Sequence, residues 1–143
     1  MCSSDLADLD RIAVPTLLSV AARDTTTPPE VDADRPWERL STPDTVRIDV
    51  ADAAHQACSD VGLYAELAPH VPDLSQDLRD YLAETAADTQ APGMRPWRAA
   101  VELQARIGAG FLDEVLGMDP ARGARTLSEV ANDPAVTLSR RAG

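Results

Sequence analysis

The chain has 143 residues and a mass of 15.3 kDa, enough for one domain and too little for two. Apolar residues make up 44% but aromatics only 3%, so the core has to be built from Ala, Val and Leu. The 13 basic residues, all Arg, stand against 24 acidic ones, and the net charge of −11 argues against a nucleic-acid binder and against an anionic membrane surface.

In chain order, residues 12–22 come first and read as a strand, with Pro15 near its start where a missing N–H is tolerated. After the proline the run is nearly continuous apolar, as in a strand buried on both faces of a parallel sheet. A polar loop follows, Arg23-Asp24-Thr25-Thr26-Thr27, ending in Pro28-Pro29. Residues 30–40 form a short helix candidate with Trp37 and Leu40 on one face, and the double proline suits its first turn. Residues 45–50 are a second strand, alternating Val46, Ile48 and Val50 against Arg47 and Asp49. One face is wetter, which places it nearer a sheet edge. Strand, helix, strand is a βαβ unit.

Past Val50 the chain changes character. Ala51-Asp52-Ala53-Ala54-His55 is a small-residue loop. Residues 59–67 and 74–87 read as helices, and residues 89–93 as a linker. Residues 96–116 give the strongest helix, with Trp97, Val101, Leu103, Ile107, Phe111, Leu112, Val115 and Leu116 largely on one stripe. Gly108 and Gly110 weaken its middle, and Gly117 suits its end. The tail carries a short helix and a strand-like Ala135-Val136-Thr137-Leu138. Two strands and several helices make a poor sheet on their own. The pattern reads as the C-terminal portion of a larger, doubly wound, mostly parallel α/β sheet. The divisions are an N-terminal segment 1–8, a main body 9–117 and a tail 118–143.

Two cysteines, Cys2 and Cys58, are too few for a disulfide framework. With two histidines they form no metal-ligand spacing, so neither a metal nor another cofactor is expected. No apolar run is long enough to span a membrane. Asp5, Asp8 and Asp10 have the wrong sign for a signal peptide, so the default expectation is the cytoplasm.

Asp24 and His55 carry the chemistry. Each follows a strand at its carboxyl end, where open α/β sheets bind ligands. Neighbouring parallel strands would present a carboxylate and an imidazole side by side. A buried carboxylate bonded to one ring nitrogen fixes the tautomer and leaves the other nitrogen as general base.

The stretches Val14-Pro15-Thr16-Leu17-Leu18, Arg23 to Pro29, Trp37-Glu38-Arg39-Leu40, Val46 to Val50 and Ala54-His55 together resemble the C-terminal part of an α/β-hydrolase. His55 to Val61 and Phe111 to Gly117 are similar to the dienelactone hydrolase and platelet-activating-factor acetylhydrolase-like branch. The resemblance covers residues 9–117. It implies Asp24 as triad acid, His55 as triad base, and a small-molecule ester or lactone as substrate once a missing N-terminal half completes the site. The family often has a Gly before the acid and an aromatic after the His. Ala21-Ala22-Arg23 and Ala57 stand there instead. Chain order in this fold is nucleophile, acid, base, yet no G-x-S-x-G occurs. The nucleophile, Ser or Cys, would lie before Met1, and this chain alone should be inactive.

Blander readings stand beside these. Asp24 could be an Asx-turn or helix-cap residue, and His55 an ordinary loop histidine. His70 reads as a surface residue, Cys58 as a small packed one, and Trp37 and Trp97 as packing anchors. Ser59, one helical turn after His55, lacks an elbow and oxyanion donors. The alternatives to a hydrolase fragment are a non-catalytic α/β module that binds a protein partner, with self-association through its exposed strand edge, or a truncated product without function.

Overall fold

The computed structural model describes residues 9–141. The N-terminal segment 1–8, with Cys2, lies outside the described residues, as does the side chain of Cys58. The elements run β1 (Leu17–Ala21), α1 (Pro29–Asp32), α2 (Asp34–Arg39), β2 (Val46–Val50), α3 (Val61–Leu67), α4 (Gln76–Ala86), α5 (Trp97–Val115), α6 (Pro120–Ala131) and β3 (Val136–Arg140). Single 3-10 turns stand at His55–Cys58, Ala68–His70 and Ala87–Gln90. No helix among the described residues is long and apolar enough to cross a membrane.

The expected helix over 30–40 is two helices meeting at Ala33 (φ −123°). Pro36 is the cause, because it has no N–H to give the carbonyl of Asp32 and its ring crowds that turn. Pro120 occupies the first turn of α6, where the Asp119 side chain caps the Arg122 N–H at 2.9 Å. Gly117 ends α5 in the left-handed region at φ 68°, which a side chain would resist.

The sheet corrects the expected architecture. Among the described residues it is a three-stranded mixed sheet in the order β1-β2-β3, and not a portion of a doubly wound parallel α/β-hydrolase sheet. β1 and β2 are parallel, in register Leu17 to Val46 through Ala21 to Val50. β2 and β3 are antiparallel, Val46 opposite Arg140 and Val50 opposite Val136. The reason lies in the connection. The short crossover through α1 and α2 returns the chain to the end where the strand began, which makes the pairing parallel. Between β2 and β3 the chain makes an antiparallel hairpin of α5 and α6, shown by the pairs Arg106–Glu129 and Asp113–Arg122. Two long opposed passes bring it back at the opposite end.

β2 is also the central strand and not a near-edge one. Val46, Ile48 and Val50 are essentially sealed from solvent and pack with Leu103, Ile107, Phe111, Leu127 and Val130 of the hairpin. Its polar face is covered too: Arg47 binds Asp49 at 2.7 Å and Asp34 of α2 at 2.6 Å. Ion pairing is what lets an alternating strand sit in the middle.

On α5 the buried residues are Ala100, Leu103, Ile107, Gly110 and Phe111. Leu112 and Leu116, expected on that stripe, are exposed, since at 100° per residue they fall off the 103–107–111 line. The expected weakness at Gly110 is a packing requirement. A Cβ there would stand 3.2 Å from Leu127, and one at Gly123 only 2.6 Å from the Gly110 carbonyl oxygen. The two glycines let the helices cross backbone to backbone.

Candidate acid–base site

The site begins with the parallel pairing of β1 and β2, which continues past both strands. The Ala22 N–H donates to the Val50 carbonyl at 3.0 Å and the Arg23 N–H to the Ala53 carbonyl at 2.9 Å. These bonds stitch the loop that carries Asp24 to the loop that carries His55. The second loop is made of small residues because it packs inward: Ala53, Ala54 and Ala57 are buried, and Ala53 and Ala57 belong to the core cluster. An aromatic at position 57, as the resemblance would lead one to expect, has no room.

His55 opens a 3-10 turn and Nδ1 lies 2.8 Å from Asp24 Oδ2. The imidazole is about one-third exposed, while the carboxylate keeps only 10% of its side-chain surface. The two candidate residues are thus brought into direct contact. Asp24 also does what the blander reading asks of it. Its Oδ1 accepts the Thr26 and Thr27 N–H groups, each at 2.8 Å, and caps the loop. The two readings are divided between the two oxygens.

Thr27 was not singled out in the sequence. Its hydroxyl donates to Asp24 Oδ2 at 2.6 Å and stands 3.3 Å from His55 Nδ1. Its signal was present in Asp24-Thr25-Thr26-Thr27, since a hydroxyl three residues after an Asp can return to that carboxylate. Burial pushes the Asp24 carboxyl upward, but the Thr27 hydroxyl and N–H, the His55 ring and the Thr26 N–H outweigh it and hold the pKa at about 2. The carboxylate is therefore ionised and can only accept. It follows that Nδ1 carries the ring proton, and that Nε2 of the neutral ring keeps its lone pair. No group among the described residues hydrogen-bonds Nε2.

Behind the pair a small cavity of about 90 Å³ is lined by Ser19, Asp24, Thr27 and Asp32, among others. The loop before His55 is anchored from below. Arg95 binds Asp52 at 3.0 Å and Asp133 at 2.8 Å, and its N–H donates to the Asp52 carbonyl.

The other candidates lie elsewhere or are occupied. His70 is exposed on its own turn. The Ser59 hydroxyl donates toward the Gln56 carbonyl and side chain, at 2.9 and 2.8 Å. The Trp37 ring is stacked under Arg141 and that of Trp97 under Arg98. Among the described residues no three His, Cys, Asp or Glu side chains gather as a metal site would require.

Compared with known proteins, the chain matches no family model, no curated protein and no solved structure.

Proposed function

We propose that the chain supplies the acid and base of a serine-type ester or lactone hydrolase, with Asp24 orienting His55 and His55 Nε2 taking the proton of a nucleophile held outside this chain. The observation that carries the reading is the 2.8 Å contact between His55 Nδ1 and an ionised Asp24 at the ends of adjacent parallel strands. The ionised carboxylate fixes the tautomer and stabilises the imidazolium formed on proton transfer. A small ester or lactone is the substrate class, reached through an acyl-enzyme. The reading rests on the pair and not on a hydrolase sheet, which the strand order excludes.

The test is ester turnover. The chain alone should hydrolyse p-nitrophenyl acetate no faster than its His55→Ala variant. A clear His55-dependent rate would overturn the idea that the nucleophile lies elsewhere. Reading the coding DNA upstream in frame checks its source: a serine or cysteine nucleophile in an open frame supports the proposal, and stop codons remove it.

A second reading, a module that accepts a partner strand or self-associates, is favoured by one feature. β1 has no strand on its outer side among the described residues, and its Leu17 and Leu18 are only half-buried. Sedimentation of the isolated chain separates the two. A monomer at high concentration counts against self-association through this edge.

A further inference from the structure

A groove that adjoins the acid–base loop has no role in proton transfer. It has a volume of about 520 Å³ and is lined by Gly62, Ala65, Ala83, Met94, Pro96 and Trp97, among others. That lies within the range of roughly 300–1,000 Å³ found for small-molecule sites. Gly62 is what admits Trp97 to its floor, since a Cβ there would stand 2.4 Å from the indole Cγ. The groove adjoins the site. Met94 accepts a hydrogen bond from Arg23 Nη1 at its sulfur, at 3.4 Å, and Arg23 immediately precedes Asp24.

Arg47, Arg95, Arg98, Arg106, Arg122 and Arg140 all hold carboxylates. Arg23 is exposed, meets only the weak sulfur acceptor of Met94, and has no carboxylate beside it among the described residues. Among the described lining residues the acidic side chain is Glu66, which is paired with Arg98 at 2.7 Å. A mostly apolar groove with a guanidinium on its Met94 wall and a paired acid on its rim is complementary to one kind of ligand.

We infer that this groove binds an amphipathic monocarboxylate, its apolar body against Trp97, Met94 and Ala83 and its carboxylate on Arg23. In a chain of net charge −11, a dissolved anion is repelled overall, so its recognition has to come from a local cation whose guanidinium holds no carboxylate among the described residues. Arg23 offers the planar donor fork that carboxylates accept. The inference does not rest on hydrolysis, because binding is read without turnover; an inactive site leaves it standing, and so does the reverse.

Titrating the full chain with 4-phenylbutyrate, and with its uncharged counterpart 4-phenylbutanol, tests it by tryptophan fluorescence and calorimetry. The acid is expected to bind saturably and about tenfold more tightly than the alcohol. Arg23→Gln should bring the acid down to the alcohol's level, and Ala83→Phe should weaken both. Both positions are exposed, so thermal melts should not move, and the comparison of acid with alcohol needs no variant. Failure of the acid to saturate, equal binding of acid and alcohol, an acid preference that survives Arg23→Gln, or indifference to Ala83→Phe would each overturn it.

Discussion

At the scale of single residues, Asp24 links stability to the state of His55. Its carboxyl has an ordinary pKa of 3.8 and is held at about 2 in the folded chain. A depressed pKa means that the unfolded chain takes up the proton first. The stabilisation is complete above about pH 5 and is lost as pH falls through 3.8 and then through about 2, and it amounts to about 2 kcal/mol. In urea unfolding, Asp24→Asn should flatten the loss of stability between pH 4 and 2. A residual slope will remain, because Asp133 is also held below its usual range by the Ala135 N–H and Arg95. The same variant should reverse the imidazole. With an amide in place of Oδ2, a donor faces Nδ1, and the ring proton moves to Nε2. Nitrogen-15 spectra of the unprotonated ring should show the Nδ1–H form in the native chain and the Nε2–H form in the variant. An Nε2–H form in the native chain would contradict the assignment.

Individual elements were mostly legible. β2, α4 and α5 follow the alternating and helical spacing of their runs, and helices stand at α3 and α6, where the sequence marks no face; β1 is shorter than the apolar run 12–22 implies, only Leu17–Ala21, and lies half-exposed at the sheet edge instead of buried on both faces. What spacing could not give was the partner of each face. Gly110 reads as a defect in an isolated helix, but across from Gly123 it is the contact itself. Gly108, two residues earlier, has open space where a Cβ would go. The two sites should therefore respond oppositely to alanine. Gly108→Ala is expected to stabilise the chain by about 0.5–1 kcal/mol. Gly123→Ala should destabilise it by about 1–3 kcal/mol, because the Gly110 carbonyl cannot move aside. Denaturant midpoints of the two variants check both signs.

Across the whole molecule, Arg95 joins three parts of the chain distant in sequence: the loop after β2 through Asp52, the start of α5, and the turn into β3 through Asp133. Its side chain is only 13% exposed, so losing it would strand two partly buried carboxylates. Arg95→Met should cost about 2–4 kcal/mol in urea unfolding. For a small domain that is a large share of the total. Nothing in the local sequence distinguishes Arg95 from the other twelve arginines, because its partners lie 43 and 38 residues away.

The amino-acid sequence alone determined what local chemistry determines. Apolar runs, prolines and caps set where the strands and helices fall, and the placement of Asp24 and His55 after two strands marked them as a pair. Their contact required parallel neighbours, which one short crossover supplies. The tertiary structure decided the sheet. Whether the chain re-enters parallel or antiparallel depends on how many long helical passes lie between strands, and on whether those helices close into a hairpin. That closure rests on Gly110 meeting Gly123 and on ion pairs across the crossing. Such long-range terms leave no periodic trace in the sequence, and they put β2 in the centre of a mixed sheet where its alternating pattern had suggested an edge.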